Sequence, residues 1–417
     1  MRLFFSIIVL ALLLSNCNKQ DDINPDNNPD LEAPDSTGPV AVKKTNPMKI
    51  YVHYMPWFET PSTNGGNWGQ HWTMANKNPE NINGDGQREI ASHFYPTIGP
   101  YASSDKDVIE YHLLLMKYAG IDGLIIDWYG SSDVYDFGNN RTNTEAVIDL
   151  LDNVGLTFAV TYEDWTLNAV VNQTDAETVL DAAIADFDYL EKEYFNLDNY
   201  INIDGEPLLT VFGPQVITTE ADWTILSESL SKSAANLSLW YESGEMGSNA
   251  FGEFSWVYED NSHIENFYKN QKSKFNLILG SAYPGFKDFY TEGGKEESAL
   301  PWEIDHNNGV TFDETLAMAQ AANIDYLQLI TWNDFGEGTN IEPTREYGYQ
   351  YLEKLQVFSG TPYSGEEFEY ISKLYNLRKS QADNSSAQTA LDKSFDYFVK
   401  LQVEDAKAVI DSLEVLY

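Results

Sequence analysis

The sequence predicts an α/β fold, a (β/α)8 TIM barrel with a C-terminal helical extension. Two observations lead there. Eight short β-branched or aromatic runs recur between residues 49 and 331, with helix-patterned segments between most of them. The runs are continuously apolar rather than alternating, which suits strands buried on both faces of a parallel sheet.

The elements can be justified in chain order. "MRLFFSIIVLALLLSNC" places Arg2 before an apolar run ending at Leu14, followed by small or polar residues up to Cys17. That run is too short and too N-terminal for a spanning helix of the mature chain. It resembles a bacterial lipoprotein signal peptide over 1–16, with Cys17 as the acylated residue. No other cysteine follows, so the exported part is expected to fold without disulfides. Residues 17–46 are rich in Pro, Asp and Asn, and read as a disordered acidic tether. Within it "KQDD" resembles the acidic signal that sends some lipoproteins to the outer cell surface. The expectation is lipid anchoring to the outer membrane, exposed at the cell surface, with the periplasmic face as the alternative.

The barrel is expected over 47–360. Its strand runs are "KIYVHYM", "DGLIIDW", "LTFAVTY", "PLLTVFG", "LSLWYES", "FSWVYED", "NLILGSA" and "DYLQLIT". "DKDVIEYHLLLMKYAG" is a helix that opens on an Asp cap and closes on Gly120. The gap between the fifth and sixth runs is too short for a full helix. A doubly wound open sheet is the alternative, and it would want a Gly-rich phosphate turn where "HYMPWFETP" stands. Residues 361–417 carry two aromatic stripes and predict a helical hairpin or short bundle packed on the barrel.

Composition narrows the partners. The formal net charge is -40, a field that repels nucleic acid, anionic lipid and polyanionic substrates. Membrane contact is expected through the Cys17 lipid alone, and a monomer is expected. Aromatic residues make up 14% of the chain, and flat rings with polar edges favour a neutral, hydroxyl-rich ligand such as a polysaccharide or oligosaccharide. No HExxH, EF-hand loop or clustered His/Cys spacing suggests a metal, and no cofactor is implied.

In such a barrel the reactive groups sit at the carboxyl ends of the strands. Those ends supply His53, Tyr54, Trp57 and Glu59, then Asp127, Trp128 and Tyr129, then Glu163 and Trp165. Further on come Tyr241 and Glu242, Tyr283, and finally Asn333, Asp334 and Glu337. Carboxylates alternate with indoles and phenols, and no Lys or Arg lies among them. Acids for proton transfer and rings for stacking suit glycosidic cleavage. Asp334 and Glu337, three residues apart in "WNDFGEG", would reach one sugar from a helix-like turn. Trp332 and Phe335 beside them would raise the proton affinity of one acid. The competing reading is that these acids cap a helix after the eighth strand. His53 reads as a core histidine and His71, in a loop beside Trp72, as a sugar contact. Glu342 and Arg345 read as a surface pair.

A family resemblance bears on that choice. "NDFGEGTNIEP" is similar to the "NEWHEGTQIE" segment of glycoside hydrolase family 99, the endo-acting α-mannosidases and α-mannanases. "YMPWFETP" with "GQHWTMANKNP", "GLIIDWYG", and "SAYPGFKD" followed by Trp302 resemble other family segments, in order across residues 50–345. The resemblance implies a retaining endo-hydrolase without an enzymatic nucleophile. Asp334 would act as base on the sugar's 2-hydroxyl, and Glu337 as general acid/base. Tyr54, Trp57, His71, Trp72, Trp128, Tyr129 and Tyr283 would line the subsites. The chain departs from the motif at Asp334, where the family has Glu, and at Gly336, where it has His. "WNDFGEG" also resembles the "WNDYGES" segment of family 71 α-1,3-glucanases, so α-mannan comes first as substrate and α-1,3-glucan second. A surface glycan-binding lipoprotein without turnover is the competing function. A secreted esterase would need a G-x-S-x-G elbow or a metal site, and neither is present.

Overall fold

The computed structural model describes residues 38–417; the leader, Cys17 and most of the expected tether lie outside the described residues. Eight parallel strands close a barrel: β1 Lys49–Tyr54, β2 Gly123–Trp128, β3 Thr157–Tyr162, β4 Glu206–Val211, β5 Ala235–Leu239, β6 Gly252–Phe254, β7 Leu277–Ala282 and β8 Tyr326–Leu329. Closure is made by β8 against β1, with Ile50 opposite Leu327. This is the expected (β/α)8 architecture, not the open sheet. The fifth and sixth strands start two residues earlier than the apolar runs suggested and are shorter. The link between them holds only one turn of helix, Ser243–Met246, and a 3-10 turn.

Strand parity decides which side chains reach the interior. In register across β1, β2 and β3, His53 lies opposite Ile125, and Asp127 lies opposite Thr161. Thr161 on β3 and Thr210, its register partner on neighbouring β4, bond on the inner face at 2.7 Å between hydroxyls. The other parity faces the helices. Tyr54 meets His112 Nδ1 at 3.2 Å on the helix Lys106–Ala119, and Tyr162 donates to Asp186 at 2.7 Å on Val179–Tyr189. That first helix has Asp105 as its cap, accepting from the Asp107 amide, and ends on a left-handed Gly120 with φ 83. His53, 1% exposed, is a core histidine whose imidazole burial pushes down to about 3.

After the barrel and its last helix, Gln350–Ser359, come three helices that form the short bundle, the second of the two expected forms: Gly365–Ser380, Ser385–Val399 and Val403–Leu416. The first packs on Lys106–Ala119. Buried Arg378 bridges the two elements, its Nε 2.7 Å from Glu110.

The end of the expected tether is also placed differently. Residues 38–46 are held at the bottom of the barrel, where strands begin. Val40 N donates to Val399 O at 3.2 Å, Asn46 N donates to Ser359 O at 3.1 Å, and buried Lys117 donates to Val40 O at 2.6 Å. Lys44 pairs with Asp122 just ahead of β2. Four ordered partners overcome the polar composition that predicted disorder here.

Candidate active site

The chain leaves β8 into a closed turn over residues 331–342. Thr331 N donates to Thr339 O at 2.9 Å, and Glu342 N donates to Trp332 O at 2.8 Å. Inside it, Asp334 N donates to the Thr331 hydroxyl at 2.8 Å, and Asp334 Oδ1 accepts from Glu337 N at 2.9 Å. Asp334 therefore caps a turn, but no helix follows until Gln350. Gly338 sits at φ +65, and a Cβ there would lie 2.6 Å from Lys287 O, so this position needs glycine. Gly336 carries no such constraint.

Two backbone bonds join the turn to the loop after β7: Lys287 N to Glu337 O and Phe289 N to Gly336 O, both 2.8 Å. They bring Tyr290 to the acid pair, where its hydroxyl donates to Glu337 Oε1 at 3.2 Å. Tyr290 is a site residue that sequence reasoning missed, since its loop lies outside every strand end. The carboxylate of Glu337 and burial together push the Tyr290 phenol up.

Beside this turn lies an open cleft of about 260 Å³ lined by Trp57, Gln70, His71, Met74, Tyr129, Tyr290, Lys295, Ser298, Asp334 and Gly336. Trp57 stacks on His71 with ring centres 4.2 Å apart and planes 6° apart, and Tyr129 adjoins at 6.2 Å. Gln70 donates to Asp136 at 2.7 Å, and His71 Nε2 lies 3.6 Å from the same carboxylate, so Asp136 orients that wall. Trp165, 42% exposed, meets Tyr129 edge-on at 5.7 Å and extends the rim. Lys295 is a cation in the cleft wall that strand ends alone do not reveal.

The electrostatics separate the acids. Burial pushes the Asp334 carboxyl up to about 6, against the pull of the Glu337 amide and His71. Burial and the Asp334 charge push Glu337 up to about 8. Asp127, on the inner face of β2, is driven up by burial, with Asp334 adding to it. Glu163 beside it is raised by burial and by Asp127. Among the described residues no acid and histidine cluster is arranged to hold a metal ion.

Five expected sugar contacts lie elsewhere. Trp72, fully buried, donates to Tyr101 O at 2.8 Å and stacks on Phe58 at 4.1 Å. Trp128 and Tyr54 have the parity that faces the helix layer; Trp128 packs on Tyr162, Tyr189 and Tyr194. Tyr283 is fully buried and donates to Asn261 at 3.1 Å. Asn333 accepts from Met55 N at 2.8 Å and donates to Met55 O at 3.0 Å, clamping the turn to the end of β1. Glu342 is not at the surface with Arg345: it is buried 3.3 Å from His112 and accepts from Tyr101 at 2.7 Å. Arg345 lies over the Tyr95 ring at 4.8 Å.

A parallel barrel with an acid pair after its last strand and stacked rings at the same mouth has the groups that glycosidic cleavage needs. The family model described as glycosyl hydrolase family 99 matches residues 45–239. A glycoprotein endo-alpha-1,2-mannosidase-like protein from Mus musculus is 23% identical over 295 residues, 62% of this chain and 61% of that protein. The glycoprotein endo-alpha-1,2-mannosidase of Mus musculus is 24% identical over 360 residues, 77% of this chain and 74% of that protein. The solved endo-alpha-mannosidase of this family from Bacteroides thetaiotaomicron superposes with a TM-score of 0.57 at 19% identity, over 78% of this chain and 99% of that one. The chain is thus similar to glycosyl hydrolase family 99 over residues 45–239. Its chain spans about three fifths of the length of the first curated relative it matches.

Proposed function

We propose that the protein is a retaining endo-acting glycoside hydrolase for α-linked neutral polysaccharide, with α-mannan as its first substrate. One observation carries the reading. Two carboxyls share one turn beside the ring-lined cleft, with Glu337 N bonded to Asp334 Oδ1 at 2.9 Å and the Tyr290 hydroxyl on Glu337 at 3.2 Å, and burial raises Asp334 to about 6 and Glu337 to about 8. Between those values one acid is a base and its neighbour still holds a proton, which is the division of labour glycosidic cleavage needs. The curated relatives named as endo-alpha-1,2-mannosidases support the substrate class.

In the mechanism Asp334 takes the proton of the 2-hydroxyl, and that oxygen attacks the anomeric carbon as the bond to the leaving sugar breaks. Glu337 gives its proton to the departing oxygen, leaving a 1,2-anhydro sugar. Glu337, now ionised, takes a proton from water, whose oxygen opens the ring at the anomeric carbon. The 2-oxygen recovers its proton from Asp334. Two inversions give retention. Trp57, His71 and Tyr129 stack on the sugar rings, and Tyr290 steadies the ionised form of Glu337. Anchoring through Cys17 at the outer membrane, facing outward, belongs to the same proposal.

Digestion of α-mannan and of α-1,3-glucan by wild type and by Glu337→Gln tests it. Products from α-mannan that vanish in the variant are expected. Glucan as the better substrate would move the specificity to that polymer. Binding without products in the wild type would leave a glycan-binding protein in place of an enzyme.

A further inference from the structure

Loops following β5, β6 and β7 carry four aromatic rings that the cleft does not use. Trp240 stacks on Tyr241 at 6.3 Å, and Tyr258 meets Trp240 at 6.5 Å and Trp302 at 5.6 Å, both edge-on. The rings therefore run as a chain from Tyr241 to Trp302. Tyr241 is 52% exposed and Tyr258 is 42% exposed. Among the described residues, neither indole N–H and neither phenol has a hydrogen-bond partner, so all four polar edges are free to bond a ligand. Tyr241 also holds a left-handed backbone, φ 67, which a bulky side chain rarely adopts. Trp240 and Tyr241 rest edge-on against buried Phe267 at 6.0 and 6.4 Å, so the chain is footed on the core while a strained tyrosine stays exposed, which points to a ligand.

Location says which ligand. These loops stand at the carboxyl ends of the strands, the same end of the barrel as Asp334. The loop after β7 is closed at its base by paired bonds between Phe286 and Ile304, 2.8 Å each way. Its tip puts Tyr290, Lys295 and Ser298 in the cleft, while its base holds Trp302 against Phe286 at 4.3 Å. One loop thus touches both the cleft and the ring chain. Exposed Glu242, Glu259 and Asp260 flank the rings and disfavour anionic polymers. A neutral pyranose offers apolar faces to the rings and hydroxyls to their edges.

We propose that Trp240, Tyr241, Tyr258 and Trp302 form an accessory platform for neutral α-linked polysaccharide, gripping sugars beyond the one being cleaved. The platform rests on the glycoside hydrolase reading for its substrate, but it is tested separately. The variant is Tyr241→Gly combined with Tyr258→Ala, since glycine accepts the left-handed backbone and both side chains are exposed. KM on α-mannan is expected to rise about tenfold, with kcat unchanged and with an aryl α-mannoside hydrolysed as before. In a Glu337→Gln background, the same two changes should weaken retention by α-mannan in affinity electrophoresis to a similar degree. Unchanged polymer KM and unchanged retention would overturn the platform, as would an equal loss on the aryl mannoside. A wild type that retains α-mannan but hydrolyses nothing removes the hydrolase reading alone, and the retention comparison still decides the platform.

Discussion

Replacing Asp334 by Asn should make the protein more stable while removing its proposed base. The rise from 3.8 to about 6 caused by burial corresponds to about 3 kcal/mol, at roughly 1.4 kcal/mol per pH unit. The sign follows from proton counting. Between the two values the folded protein holds a proton that the unfolded chain has lost, so stability falls as pH rises through that window. Below the unfolded value the cost is absent, and above the folded value it is complete. Asn keeps the oxygen that accepts from Glu337 N at 2.9 Å but carries no charge to desolvate. Asp334→Asn should therefore match wild type near pH 4 and exceed it at pH 8, by up to about 3 kcal/mol. Urea denaturation of both proteins at the two pH values, followed by tryptophan fluorescence, measures the difference. A variant that loses stability relative to wild type on going from pH 4 to pH 8 would refute the claim that the carboxylate is held at a cost.

Other expectations follow from the same geometry. Hydrolysis should show a bell-shaped pH dependence with an acid limb near 6 and an alkaline limb near 8, read from kcat/KM across the range. Tyr290→Phe removes a hydrogen bond that favours ionised Glu337, so the alkaline limb should move up by about one pH unit, the low end for a bond to a charged group. Trp57→Ala should raise KM with little effect on unfolding, whereas Trp128→Ala should cost about 3–5 kcal/mol in denaturation because its ring fills the layer between barrel and helices. Asn333→Ala leaves the Met55 amide and carbonyl buried without partners and should lower stability by about 2–5 kcal/mol, seen by the same denaturation.

The barrel was legible because parallel strands buried on both faces write themselves as unbroken apolar runs, from "KIYVHYM" to "DYLQLIT". That same continuity hid the side-chain directions. His53 and Tyr54 are neighbours on β1, yet one enters the barrel and the other meets His112. With no polar face to mark the parity, Tyr54 and Trp128 looked as available to a sugar as Tyr129. The acid pair was legible from its turn chemistry, whereas Tyr290, Met74 and Lys295 reach the cleft from loops whose path no local pattern records. The strap over residues 38–46 has no local signature for a related reason: its order comes from Val399, Ser359, Lys117 and Asp122, all distant in sequence.

That strap fixes how the molecule hangs. Residue 38 lies at the floor of the barrel and the acids open at the ceiling, so the described chain enters on the side opposite the cleft. The docked N-terminal segment is tied to the last helices through Val399 and Ser359 before it enters β1.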